Sequence, residues 1–147
     1  MISESRRAAK IIRNLQFFGR RSITDMNPAN INEIPSRAWD LKHHEFVKSE
    51  ISLDLDSAKD LHKVLIDGHH LVQVIVNILT NAQQAMESIQ RTWELSFRTT
   101  ISCEKVRVRI QDSGSGMPPE QKMLILEPFY TTKEVGMGTG LGLSICH

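Results

Sequence analysis

The sequence predicts an α/β protein in which amphipathic helices pack on one face of a sheet, preceded by a separate N-terminal helix. Three observations lead there. Residues from about His69 to Ile89 repeat apolar side chains at helical spacing. Three segments, Ile51–Leu55, Glu94–Ile101 and Lys105–Gln111, alternate apolar and polar residues as half-buried strands do. An earlier apolar stripe, Ala8, Ile11, Ile12, Leu15 and Phe18, is cut off from all of these by the turn-like Thr24–Asn30. With 147 residues, there is room for one compact domain and an appendage.

From about Ser3 to Ser22 the other face of the first helix carries Arg6, Arg7, Lys10, Arg13, Arg20 and Arg21. That face reads as solvated, and the stripe opposite needs another helix or a second copy of the chain to cover it. Asn27-Pro28 marks a linker or turn, and a second helix runs from about Asn30 to Lys48 with Pro35 in its first turns. After the strand at Ile51–Leu55, a loop leads to Asp67, placed to cap the long helix. Leu71, Val74, Ile75, Ile78, Ala82, Ala85, Met86 and Ile89 form that helix's expected apolar face. The last two strands, joined by a few turn residues, predict an antiparallel pair. Beyond Gln111 the chain turns glycine-rich, with one short helix expected near Pro119–Leu126. There is no internal repeat and no low-complexity tract.

Composition narrows the function classes. A formal net charge of +1 argues neither for nucleic acid nor for a membrane surface. No apolar run approaches the roughly 18 residues a membrane span requires, and the N-terminus has no secretory h-region. Cys103 and Cys146 are isolated and form no metal-type pair, so a reduced, cytoplasmic setting is expected.

Four features carry chemistry. Asn77 and Asn81 stand four residues apart on the long helix, with Gln84 three further on, so all three lie along one face. Asparagine is a middling helix former, and two on one stripe suit a hard cation that keeps waters and phosphate oxygens, or else a polar edge of a half-buried helix. The strand Val106–Ile110 runs into Asp112-Ser113-Gly114-Ser115-Gly116, an acceptor followed by glycines. That arrangement suits a flat donor such as an adenine amino group, or a plain turn. Glu127-Pro128-Phe129-Tyr130-Thr131-Thr132-Lys133 joins an aromatic pair to hydroxyls and a cation, suited to phosphate contacts beside a hydrophobic anchor, or to a surface loop. In Gly136-Met137-Gly138-Thr139-Gly140-Leu141-Gly142-Leu143-Ser144, alternating glycines free backbone N–H groups to converge on anionic oxygens. Leu141–Cys146 would begin a helix there. The alternative is a flexible linker, although Leu141 and Leu143 between the glycines speak against one. No P-loop or dinucleotide fingerprint is present.

In that order and spacing, the four segments resemble the N, G1, F and G2 boxes of sensor histidine kinases. The similarity is to the catalytic ATP-binding domain within the gyrase-like ATPase superfamily, and covers about Asn27 to the C-terminus. Asn77-Ile78-Leu79-Thr80-Asn81-Ala82-Gln83-Gln84-Ala85-Met86 looks most like the nitrogen-regulator type. The resemblance implies a two-layer α/β sandwich, a mixed sheet with helices on one face, over residues 25–147. Residues 1–24 would then end the dimerisation and phosphoacceptor hairpin.

It also implies roles. Asn81 would be the magnesium ligand bridging to the triphosphate of ATP. Asn77 would sit near the γ-phosphate, on the metal or orienting a reacting group. Gln84 stands where many relatives place a basic phosphate contact, which points to modest affinity. Asp112 would accept from the adenine amino group with a water bridging through Gly116, and Gly114 and Met117 belong to the same adenine-side box. Phe129 would anchor the nucleotide lid, with Thr131, Thr132 and Lys133 in it. Gly138, Thr139, Gly140, Leu141 and Gly142 would line the phosphates. The chemistry implied is phosphoryl transfer to a histidine, then to the aspartate of a response regulator receiver domain, in a homodimer held by the N-terminal helix.

The family's acceptor histidine, followed by an acid and later a proline, has no counterpart here. His44-Glu45-Phe46 imitates only its start, and the remaining histidines, His43, His62, His69, His70 and His147, read as surface residues. Relatives continue past His147 with the rest of a helix and two strands, so an incomplete domain is expected. A rival reading makes the chain an interaction or dimerisation module without effective nucleotide binding. Another gyrase-type ATPase would place a glutamate where Asn77 stands.

Overall fold

The computed structural model describes residues 25–87, 89, 93–102, 105–133 and 138–146. The expected N-terminal helix, Cys103, the start of the glycine box (Gly136, Met137) and His147 lie outside them. The described residues belong to two compact units, Asp25–Gly116 and the stretch from Met117 onward.

In the first unit, strand β1 (Asn27–Ala29) leads into a 3-10 turn, Ile31–Glu33, capped by the Asn30 side chain accepting from Asn32 N. Helix α1 (Ile34–Lys48) follows, with Pro35 in its first turn, where a missing N–H leaves no bond unmade. Ile51 N closes back on Phe46 O, and Glu50 adopts a left-handed φ of 53° to make that turn. The chain then forms β2 (Ser52–Asp56), β3 (Val64–Ile66), helix α2 (Gly68–Glu87) and the strands β4 (Glu94–Ser102) and β5 (Lys105–Asp112).

β2, β4 and β5 make a mixed sheet in that order, β2 parallel to β4 and β4 antiparallel to β5. Leu95, Phe97 and Thr99 of β4 are buried on one face. Ile34, Ala38 and Phe46 of α1 and Ile75, Leu79, Ala82 and Met86 of α2 close a single apolar core with Leu95 and Phe97. Trp39 stacks at a tilt on Phe46, centroids 4.9 Å apart. Thr99 joins the core without an orphaned hydroxyl, because it donates to Asn32 Oδ1 (2.8 Å) and accepts from Ala58 N (2.9 Å). The architecture is the expected sandwich of helices on a mixed sheet.

Three expectations need correction. Asn27–Asn30, read as a linker or turn, contains β1, and the loop before Asp67 contains β3. The two pair antiparallel, Asn27 with Ile66 and Ala29 with Val64. Three-residue strands around Pro28, largely exposed, offer no alternation to read. The buried stripe of α2 includes Leu79, which was not expected there, while Val74, Ile78 and Ala85 are only half-buried. Apolar residues surround enough of this helix that spacing alone leaves its core-facing side uncertain by one turn position.

In the second unit, the helix expected over Pro119–Leu126 stops at Lys122 (α3, Pro119–Lys122) and continues as turns. Met123, Leu124 and Leu126 are exposed there, so no buried face sustains more helix. Leu141–Cys146 forms only a 3-10 turn, Ser144–Cys146, with Ile145 N bonded to Leu141 O.

Candidate functional site

The first unit brings two of the four motifs together. Asp67 caps α2 as its position suggests: its Oδ1 accepts from the N–H groups of His69 and His70, both at 3.0 Å. Its other oxygen accepts from Asp25 N (3.3 Å) and lies 3.1 Å from His70 Nδ1. The His70 N–H bond above all, then the neighbouring imidazole, holds the Asp67 carboxyl below its ordinary value of 3.8, although burial opposes this. His70 is therefore not the plain surface residue expected. His43, His44, His62 and His69 are exposed, and the Glu45 side chain pairs with Lys42.

The cap fixes the start of the helix, and with it the stripe Asn77, Asn81 and Gln84, each half-buried. Gln73, one turn before Asn77, donates from Nε2 to Asn77 Oδ1 at 3.2 Å. Gln73 is not among the residues expected at the site, and its four-residue spacing from Asn77 is the signal that could have found it.

At the far end of the same helix the Asp112 loop is fastened down. Ser113 exchanges bonds with Glu94, its N–H donating to Glu94 O (3.0 Å) and its hydroxyl accepting from Glu94 N (2.9 Å). Ser115 N donates to Ala85 O at 3.4 Å. Asp112 is exposed, and its Oδ1 accepts from Gly114 N at 2.9 Å in a tight local turn. Gly114 has no room for a side chain: an added Cβ would lie 2.6 Å from Asp112 Oδ1 and 2.8 Å from Ala85 Cβ. Gly116 has φ +69°, a backbone state that disfavours any other residue. Ala85 sits one turn beyond Asn81, so the carboxylate loop and the asparagine stripe share one rigid neighbourhood.

The second unit joins the other two motifs. Phe129 N donates to Gly140 O at 2.9 Å, with Phe129 at φ 68° and Gly140 at φ 64°. A Cβ on Gly140 would fall 2.3 Å from the Phe129 carbonyl carbon. Thr131 Oγ1 accepts from Lys133 N (3.2 Å), and it would meet a Cβ on Gly138 at 2.6 Å. Leu141 is buried and its N–H reaches Thr139 Oγ1 at 3.4 Å, while Met117, Phe129, Thr132 and Lys133 are exposed. The aromatic segment and the glycine segment are thus one local structure. Nothing in the sequence pattern announced the bond between Phe129 and Gly140.

Among the described residues, no group of three or more His, Cys, Asp or Glu could hold a metal, and no helix is long and apolar enough to cross a membrane. The donors that would fit a hard cation are the amide oxygens of the α2 stripe.

Comparison with known proteins agrees with these features. Residues 66–147 match the family model of histidine kinase-, DNA gyrase B- and HSP90-like ATPases. The sensor kinase CckA of Brucella abortus is 34% identical over 96% of this chain and 16% of its own length. The sensor protein FixL of Bradyrhizobium diazoefficiens is 31% identical over 94% of this chain and 27% of its own. The chain therefore spans well under a third of these curated relatives. The nucleotide-free catalytic domain of histidine kinase ThkA superposes with a TM-score of 0.72 at 31% identity, covering 83% of this chain and 78% of that one. ThkA in complex with the response regulator TrrA matches with a TM-score of 0.76 at 26% identity, over 97% of this chain and 40% of that one. The chain belongs to the histidine kinase-, DNA gyrase B- and HSP90-like ATPase family, as an ATP-binding ATPase domain of the sensor histidine kinase kind.

Proposed function

We propose that this chain holds magnesium–ATP and presents its γ-phosphate for transfer to a histidine outside the chain, from which an aspartate of a response regulator receives it. The observation that carries this reading is the fastening of the Asp112 loop to α2 beside Ala85, one turn from Asn81. That contact puts the Asp112 carboxylate, which would accept from an adenine amino group, on the same body as the asparagine stripe. With Asp112 Oδ1 engaged by Gly114 N, the second carboxylate oxygen remains for the base.

Asn81 would offer its amide oxygen to magnesium, whose chemistry at such a site is to neutralise phosphate charge. Asn77, its Oδ1 accepting from Gln73, would turn its amide toward the γ-phosphate region. Gln84 would complete the stripe. Gly138, Thr139, Gly140, Leu141 and Gly142 would supply backbone donors to phosphate oxygens, and Phe129, Thr131, Thr132 and Lys133 would form the lid, with Gly114, Gly116 and Met117 lining the adenine side. Asparagine at position 77, where hydrolytic relatives need a carboxylate to activate water, favours transfer over hydrolysis. A response regulator as final acceptor is supported by the ThkA–TrrA complex. Dimerisation through residues 1–24 and a cytoplasmic location belong to the same reading.

The test is mixing. Adding a phosphoacceptor hairpin of the parent kinase to this chain with magnesium and labelled ATP should label a histidine of the hairpin. Label on His44, or none while ATP binds, would overturn the transfer reading.

A further inference from the structure

The outward face of the mixed sheet carries a strip of cations that the ATP site does not use. Lys105, Arg107 and Arg109 of β5 are exposed and alternate along one side of the strand, so their side chains repeat at about 6.7 Å. Register places Arg109 directly opposite Arg98 of β4, a like-charge pair that weakens a sheet. Asp56 answers Arg98 at 2.7 Å, from the β2 side. Lys105, Arg107 and Arg109 have no ion-pair partner among the described residues. Thr100 and Ser102 face Arg107 and Lys105 across the ladder, adding hydroxyls along the same strip.

We propose that this strip docks an extended acidic segment of a partner protein, with carboxylates at alternate positions. Such a segment repeats its side chains at the same spacing as the cations, so each carboxylate meets one guanidinium or ammonium group. The strip lacks aromatic side chains on which bases would stack, which disfavours single-stranded nucleic acid. It lacks apolar side chains that would enter a bilayer, which disfavours a membrane surface. A second copy would have to bury a wholly polar face with no apolar centre, unlike a stable dimer interface.

The test uses the full chain and a short labelled peptide alternating glutamate and serine, followed by fluorescence anisotropy at about 0.1 M salt, where the Debye length is about 10 Å. Wild type should bind, and Arg107→Glu with Arg109→Glu should weaken binding by about tenfold or more. Arg107→Lys with Arg109→Lys should retain it. An equal charge change on α1, which covers the opposite face of the sheet, Arg37→Glu with Lys48→Glu, should alter it by less than about twofold, because exposed charges beyond a Debye length are screened. Absence of wild-type binding, or equal loss in the Arg37/Lys48 control, would overturn the proposal. So would tighter binding of an oligonucleotide or of phosphatidylserine vesicles than of the peptide. Thermal melts should show the reversed variant at least as stable as wild type, since Arg109→Glu replaces a repulsion with a pair.

Discussion

Substituting Gly114→Ala tests whether the Asp112 loop must touch α2. The new methyl would lie 2.6 Å from Asp112 Oδ1, 2.8 Å from Ala85 Cβ and 3.0 Å from the Ala85 carbonyl carbon. Two of those neighbours belong to a helix packed into the core through Ala82 and Met86, so the loop must move instead. Overpacking of this kind costs about 1–3 kcal/mol. The movement would also withdraw the carboxylate from the position proposed for the adenine amino group, and a hydrogen bond to a charged group contributes about 1.5–3 kcal/mol. The lost bond alone corresponds to about a tenfold to 150-fold weaker affinity for magnesium–ATP. Isothermal titration calorimetry reads this directly, with far-UV circular dichroism establishing that the fold survives. Unchanged affinity in a folded Gly114→Ala protein would refute the reasoning, because it would separate the carboxylate loop from nucleotide recognition.

Further perturbations reach other links of the chain. Leu79→Ala opens a cavity between α2 and β4 and should lower stability by about 2–5 kcal/mol in urea titration. A loss typical of a surface residue would remove Leu79 from the core. Gly140→Ala drives a methyl into the Phe129 backbone at a left-handed φ and should weaken magnesium–ATP binding by about tenfold, while leaving the Asp25–Gly116 unit folded by circular dichroism. Retained binding would dissociate the Phe129–Gly140 bond from the site. Because folding lowers the Asp67 carboxyl below 3.8, its contribution is full above that pH and is lost as pH falls through the lower folded value. Asp67→Asn keeps a capping oxygen, so near pH 7 the melting temperature should stay within a few degrees, while part of the acid-side slope disappears. An unaltered slope would exclude Asp67 as a source of acid sensitivity.

The legible parts of this protein are those whose signal is local. α2 could be read from its period, its start from Asp67, and the antiparallel pair from alternation on either side of a short turn. The four candidate site segments stand out because each packs its chemistry into a few consecutive residues, and their order carries the family resemblance. What the sequence pattern does not carry is set by distant partners. β1 and β3 are three residues each and exist through one another, Pro28 opposite Leu65. The burial of Leu79 rather than Ile78 is decided by where α1 and β4 lie. Phe129 and Gly140 meet eleven positions apart through a backbone bond that needs a glycine, but Gly140 is one of several glycines in its segment, so the pattern does not say which of them Phe129 meets. Gln73 is the exception. Its partner is one turn away, and the four-residue spacing carries that bond in the sequence.

The central claim is that Asp112 and the α2 stripe form one adenine-nucleotide site. Calorimetry of the wild-type chain with ATP and GTP, each with and without magnesium, tests it most directly. The account predicts binding of ATP that depends on magnesium, weaker binding of GTP, whose base presents a carbonyl where Asp112 needs a donor, and loss of ATP binding in Asp112→Ala. Equal affinity for the two nucleotides, or no affinity for either in folded protein, would contradict it.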